Sequence, residues 1–313
     1  MVTYVERRNW NELRPTRSDT AGVPLTGAYA QTRQSWARRI DAIEDLPEAY
    51  RDAVRLELRG ATLPYSVLCP AFARHAKPTR ETFVVAIGDR LHLFVRRGAE
   101  IAATSFGPPD VHALEIGDVL LDSWLTIRGL AVDRSAQAAT VRFNRVGMEL
   151  MLPFVDLLRS PVRGASTGAD AHEPTMLRSL SWRSLKFYNL ARSLRRDGDR
   201  LVDVFLQPAI RGRRRPALPF LRREIAPAHL VLLTDSELII ASDLAGKGSR
   251  DDRYGYVRTH VPLRHVVDAG AVTRPDGLSV ARIGLSSGDA IEVVFELATD
   301  ADDVVSNLNA AAA

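Results

Sequence analysis

A chain of 313 residues suggests about two domains, at roughly 150 residues each. Hydrophobic residues at 46% and charged residues at 26% are ordinary globular usage, which excludes a disordered chain, a collagen and a coiled-coil rod. The balance of 42 basic against 38 acidic residues leaves +4, and the single cysteine, Cys69, excludes an internal disulfide and a cysteine-based zinc site.

No run of about 18 apolar residues occurs, so no helix is expected to span a membrane. The opening stretch MVTYVERRNWNELRP is charged and lacks the apolar stretch of a secretory signal. A soluble, cytoplasmic protein is the expectation.

The first sixty residues read as a helical extension (1–60). Gln31 to Glu44 sets Trp36, Ile40 and Ile43 at helical spacing. A second helix starts at Pro47 and ends near Gly60, with Tyr50, Val54 and Leu58 as its inner stripe. From Pro64 the period shortens. Strands are expected at Tyr65–Phe72, Thr82–Ile87, Leu91–Arg96, Ile101–Phe106, Val111–Val119, Ser123–Arg128 and Ala139–Asn144. Gly88-Asp89 joins the second and third as a hairpin. An apolar helix follows at Val146–Arg159, which Pro153 should kink or split. These elements make a first module over 61–159.

Residues 160–175 (SPVRGASTGADAHEPT) have linker composition, and Met176–Arg196 is expected to be one helix, placing an inter-domain helix at 176–198. The strand pattern resumes over 199–313, at Leu201–Ile210, His229–Thr234, Glu237–Ser242, Tyr256–Val261, His265–Val272, Leu278–Ile283 and Ala290–Leu297. A helix at Asp300–Asn309 closes it.

The halves repeat each other. VVAIGDRLHLFV from Val84 matches VLLTDSELIIAS from Val231, 147 residues later. Pro109, His112, Glu115 and Gly117 match Pro262, His265, Asp268 and Gly270, 153 residues later. Phe143 and Phe295 end equivalent last strands. About seven antiparallel strands per half tend to curl into a barrel or sandwich, and a helix can plug its open end. The residues Gly117-Asp-Val-Leu-Leu-Asp-Ser-Trp124 and Phe143-Asn144, with Leu185-Lys-Phe-Tyr-Asn189 and His229-Leu-Val-Leu-Leu-Thr-Asp235, carry a resemblance to the pleckstrin-homology-like (PH-like) superfold. The whole chain beyond its first thirty residues is similar to a bacterial protein group with two such modules. The resemblance implies a mainly β (α+β) chain of two tandem PH-like seven-stranded antiparallel barrels, each with a C-terminal helix. It also implies modules that bind lipid head groups, peptides or proteins, and fold alone names none of them.

Catalytic motifs are sparse. Gly164-Ala-Ser166-Thr-Gly168 has the letters of a nucleophile elbow but no strand before it, so it reads as tether. The seven histidines form no HExxH or other metal spacing, and no Walker loop or GxGxxG occurs, so no metal and no cofactor is expected. Asp251-Asp252 and Asp302-Asp303 read as solvated or helix-capping acids, Cys69 as a buried inert thiol and Trp124 as core. His260, His265 and Asp268 are the candidates for the competing reading, an enzyme with a site between the modules.

Charge distribution is more informative. Arg178–Arg223 holds thirteen basic residues against Asp197, Asp199 and Asp203, so the remainder of the chain is net acidic. Its sharpest part is RGRRRPALPFLRR, in which Arg211, Arg213, Arg214, Arg215, Arg222 and Arg223 flank Phe220. Guanidinium groups bind phosphates in bidentate fashion, and Phe220 at a loop tip can enter a membrane interface. Arg74, His75, Lys77 and Arg80 form a weaker counterpart in the first half. The alternative is a solvated basic face in a chain that simply favours arginine, with Phe220 packed on the other module. The expectation is a non-catalytic binding or scaffolding protein. Its partner is an anionic membrane surface or an acidic protein, and self-association through exposed strand edges is a further expectation. Nucleic acid is disfavoured, since the basic run carries a single aromatic residue.

Overall fold

The computed structural model describes residues 35–74, 77–119, 122–130, 132, 135–159, 175–196, 198–212, 224–244 and 255–313. The first half runs through β1 (Arg38–Arg39), α1 (Glu48–Leu58), β2 (Ser66–Cys69) and a short ladder of β3 (Ala73–Arg74) with β4 (Lys77–Pro78). Then come β5 (Thr82–Ile87), β6 (Arg90–Arg97) and β7 (Glu100–Phe106), and β1-β2-β5-β6-β7 form one antiparallel sheet. A meander of β8 (Val111–Asp118), β9 (Ser123–Leu130) and β10 (Ala136–Phe143) follows, and α2 (Met148–Leu158) closes the half.

The second half starts with α3 (Thr175–Arg183) and α4 (Leu185–Leu194). Its strands are β11 (Leu201–Gln207), a short ladder of β12 (Ile210–Arg211) with β13 (Glu224–Ala226), then β14 (His229–Thr234), β15 (Glu237–Asp243) and β16 (Tyr256–Pro262). β17 (Val266–Thr273), β18 (Ser279–Leu285) and β19 (Ala290–Phe295) make a three-stranded sheet, and α5 (Ala298–Ala312) ends the chain.

The halves are fused by backbone. β8 pairs antiparallel with β16, from Tyr256 opposite Asp118 to His260 opposite Leu114. The result is one seven-stranded sheet in the order β10-β9-β8-β16-β15-β14-β11, three strands from the first half and four from the second.

Alternation explains the layers. In β5 and β6, Val84, Leu91 and Leu93 face the first core with Leu114, Ile116, Leu125, Ile127 and Phe154, while Phe83, Val85 and Phe94 face α1 through Tyr50, Val54 and Leu58. In β14 and β15, Val231, Leu233, Leu238 and Ile240 face the second core with Phe295, Val304 and Leu308. Leu230, Leu232, Ile239 and Ala241 face α3 and α4. Both faces of these strands are covered, which is why VVAI and HLVLL read as continuous apolar runs rather than alternating ones.

Several expectations are corrected. No sheet closes into a barrel among the described residues: the β8 edge that closure would need is paired with β16 instead. Residues 35–45 form β1 and a single 3-10 turn at Ile43–Asp45, not a helix, because the Ile40 amide and the Arg38–Arg39 backbone pair with the strand of Val67. The helix expected at Met176–Arg196 is two, since extended Ser184 (φ −162°, ψ 107°) breaks it and its Oγ accepts from the Phe187 amide as the N-cap of α4. Pro153 does not split α2.

The repeat is real in element order but shifted in register after the hairpin. Val111 and Val266 each follow a 3-10 turn, and each begins a strand with a bulge at its second residue. They are 155 residues apart, not 153, so His112 and His265 are not counterparts. His112 is the bulge residue of β8, whereas His265 ends the turn before β17. The linker core (160–174), Asp251-Asp252 and the GASTG stretch lie outside the described residues.

Candidate functional site

A concavity lies where the halves meet. It is a pocket of about 240 Å³, lined by Leu114, Leu158 and Arg159 of the first half and by Arg196, Ser236, Glu237, His260 and Arg264 of the second. Glu237 is its centre. It begins β15 after the Asp235-Ser236 turn, where Thr234 Oγ1 accepts from the Glu237 amide at 3.0 Å and donates to the Glu237 carbonyl at 3.0 Å.

Three side chains surround that carboxylate. Arg159, just beyond α2, donates from Nη2 at 2.5 Å and from Nε at 3.3 Å. His260 of β16 lies with Nδ1 at 3.3 Å, and Arg196 approaches at 3.8 Å. Arg196 also bonds Ser236 Oγ at 3.1 Å, Asp199 at 3.3 Å and the Arg159 carbonyl, and Arg159 Nη2 reaches the Leu194 carbonyl at 2.8 Å. Helices from both halves are thereby tied to one acid.

Burial pushes the Glu237 carboxyl up, but the His260 hydrogen bond and the Arg159 guanidinium prevail and hold it down at about 2. Burial lowers His260 to about 4, helped by Arg159. At neutral pH the pair is therefore a carboxylate and a neutral imidazole. Hydrogen-bond logic places the proton on Nδ1, facing Glu237. His260 Nε2 is then a buried lone pair with no partner among the described residues. The neighbouring Arg258 of β16 is half-buried, its Nε buried and unpartnered among the described residues and its pKa lowered by desolvation.

The trio His260, His265 and Asp268 is not brought together. His260 lines the pocket. His265 stacks on His112 with ring centroids 4.2 Å apart, bonds the Pro109 carbonyl through Nε2 at 2.9 Å and meets Ser286 Oγ at 3.0 Å. Burial lowers its pKa to about 4, with His112 and Arg264 adding to the effect. Asp268 is exposed on β17, its carboxylate lying over Gly284. His112 and His265 are thus a cross-half clamp, extended by Arg264 Nη2 on the Pro108 carbonyl at 2.5 Å. No group of three metal-ligating side chains occurs among the described residues.

Of the basic segment, Arg211 is exposed on β12 with its backbone opposite Glu224. Arg213, Arg214, Arg215, Phe220, Arg222 and Arg223 lie outside the described residues. Cys69 is fully buried, and burial pushes its thiol up to about 12. Trp124 is half-buried rather than core. It covers Gly117, where a Cβ would lie 2.4 Å from the indole, and donates to Glu115 at 2.7 Å.

Sequence reasoning missed Glu237, Arg159 and Arg196. The signal lay in the repeat. Glu237 is the counterpart of Arg90, 147 residues earlier, and Arg90 bonds Asp110 at 3.0 Å and the Ser105 side chain at 3.4 Å. The same position thus carries opposite charge in the two halves, which marks a partner specific to one of them. No protein-family model matches the chain, and no curated protein matches it.

Proposed function

We propose that this protein is a non-catalytic binding scaffold of two PH-like modules, which recognises an anionic surface through its arginine-rich segment. Element order supports the module reading. Each half has four long strands, then three, then a helix, with a helix on the outer face of the first sheet.

The observation that carries the binding reading is a shared connection. In the second half, Ile210 pairs with Ala226 and Arg211 with Glu224, so both ends of the arginine-rich segment are drawn together between β11 and β14. In the first half, Ala73 pairs with Pro78 and Arg74 with Lys77, between β2 and β5. The two basic stretches of the sequence are therefore flanked by short ladders at equivalent connections. Six arginines near an anionic bilayer contribute on the order of 1 kcal/mol each, and phosphate head groups suit the guanidinium fork. The protein then sits at the inner face of the cytoplasmic membrane, held peripherally; no helix among the described residues is long and apolar enough to cross it.

Co-sedimentation with neutral and phosphatidylserine-containing vesicles tests this. Binding to anionic vesicles at low salt is expected, fading at about 0.5 M salt as screening shortens. Replacing Arg213, Arg214 and Arg215 with Ala should remove it and leave the melting temperature unchanged. A wild type that ignores anionic vesicles but binds an acidic protein in a salt-sensitive way moves the assignment to a protein partner.

A further inference from the structure

The internal junction is head-to-tail. It joins the fifth long strand of one half, β8, to the fourth long strand of the other, β16. Their counterparts are β17 in the second half and β7 in the first. Leu91 opposite Phe106 and Leu238 opposite Val261 place β7 against β16 at the same 155-residue offset that relates β8 to β17. Both counterparts end their sheets, so each has one edge without a strand partner among the described residues.

Exposed edges are normally blunted by charge or proline. Arg142 marks β10, Asp203 marks β11, Glu292 marks β19, and β1 has two residues. β7 and β17 likewise carry a single charge each, Glu100 and Asp268, and the stretches Ile101–Phe106 and Ala269–Thr273 beyond them hold neither charge nor proline. β17 also exposes Val267 (68%) and Val272 (60%), whereas β8 is almost wholly buried.

Grooves beside the equivalent strands β16 and β7 repeat the relation. In the second half a groove of about 490 Å³ runs along Val257 and Thr259 to Ala290 and Ile291, and the first half supplies a wall through Ala113, Glu115 and Arg128. The counterpart beside β7, about 480 Å³, runs along Ala102 and Thr104 to Ala138 and Ala139, without such a wall. Arg80, Arg97 and Arg142 line it. The counterpart of Ala113 is the exposed Asp268, an acid suited to an arginine-lined groove.

From these matches we infer that a second copy of this chain docks its β17 onto β7, repeating the β8–β16 ladder between molecules. The register carries over: Ala103 lies opposite Ala271, with Ala102 opposite Val272 and Thr104 opposite Gly270. The interface is heterologous, so it propagates into a ring or an open chain. Exposed Asn309 of α5, which donates to the Ala269 carbonyl at 3.2 Å, must swing aside.

Sedimentation velocity on the full chain, with charge placed at the exposed Ala103 and Ala271, tests the register. The wild type should exceed 34.5 kDa increasingly with concentration. Ala103→Lys with Ala271→Lys sets like charges across the ladder and should weaken association at least tenfold, whereas Ala103→Lys with Ala271→Glu should restore it. Both variants change the same two positions, so a folding defect common to them would abolish the difference. Three results overturn the inference: a wild type that stays monomeric to millimolar concentration, association indifferent to the lysine pair, or a Lys/Glu variant as weak as Lys/Lys. The last is what a symmetric β7–β7 pairing gives.

Discussion

Arg159 and Glu237, 78 residues apart and on opposite sides of the junction, meet at 2.5 Å with side chains 10% and 4% exposed. A charge pair so placed loses most of its hydration and stands only because each partner satisfies the other. Removing one member is far costlier than never having had the pair.

Glu237→Ala should therefore destabilise the protein by about 3–5 kcal/mol, since Arg159 and Arg196 are left without their shared acid. Chemical denaturation followed by tryptophan fluorescence measures it. The loss should appear in one cooperative transition, because the acid belongs to both halves. A change below about 1 kcal/mol would show the pair to be incidental.

Acid should destabilise the protein in two stages. His260 is lowered to about 4 in the fold, against about 6.5 in an unfolded chain. A depressed pKa contributes stability that is present above the unfolded value and lost as pH falls toward the folded one. His260 alone gives up roughly 3 kcal/mol between pH 6.5 and 4 at about 1.4 kcal/mol per unit. The carboxyl of Glu237, held at about 2, adds a second loss between about pH 4.3 and 2. Stability measured across pH 7 to 4 should fall steeply in wild type and less steeply in His260→Asn, whose amide can still donate to Glu237. Parallel slopes would remove His260 from the account.

Which parts of this arrangement could be read in the chain follows from the range of the physics. Strand positions such as Thr82–Ile87 and His229–Thr234 are local, set by β-branched runs between turn residues, and they fall where expected. Ser184 was hidden because its flanks, Met176–Arg183 and Leu185–Leu194, share one apolar period. Ladder pairing between β8 and β16 leaves no local mark, since an edge strand that pairs between halves has the composition of any buried strand. The histidine register failed for a related reason. Matching Pro, His, acid and Gly by letter placed His265 on His112, while the bulges and 3-10 turns align Val266 with Val111. The two imidazoles still meet, as partners rather than equivalents.

Cys69 should report unfolding directly. Its thiol is fully buried in β2 and pushed up to about 12, so native protein offers almost no thiolate at neutral pH. Reaction with Ellman's reagent should be slow in buffer and immediate in denaturant, its native rate following that of opening. Fast labelling of the folded protein would mean that β2 and β5 separate on their own.

Gly117 should tolerate no side chain. A Cβ there would lie 2.4 Å from the Trp124 ring, which is itself fixed by its 2.7 Å bond to Glu115. Gly117→Ala should cost about 1–3 kcal/mol by overpacking, measured as a lower denaturant midpoint, with Trp124 emission shifted toward that of exposed indole. Pairing it with Trp124→Leu should recover part of the loss, because the obstructing ring is gone.

The halves should stay together without their covalent link. A sequence-specific protease site placed at Ser166-Thr167, followed by cleavage, leaves no peptide bond between them. The ladder from Tyr256–Asp118 to His260–Leu114 remains, with Arg159 on Glu237, His265 on Pro109 and Arg264 on Pro108. Ala113 is also buried in the second core among Val261 and Ile283. Exposing that strand pair to water would uncover apolar surface and unpaired backbone on both sides, a cost of several kcal/mol. The cut protein should accordingly stay one particle on size exclusion and show two bands only on a denaturing gel. Adding Glu237→Ala should loosen it, so that the fragments separate at low concentration. Two independent peaks from the cut wild type would mean that the chain link, and not the shared sheet, holds the halves together.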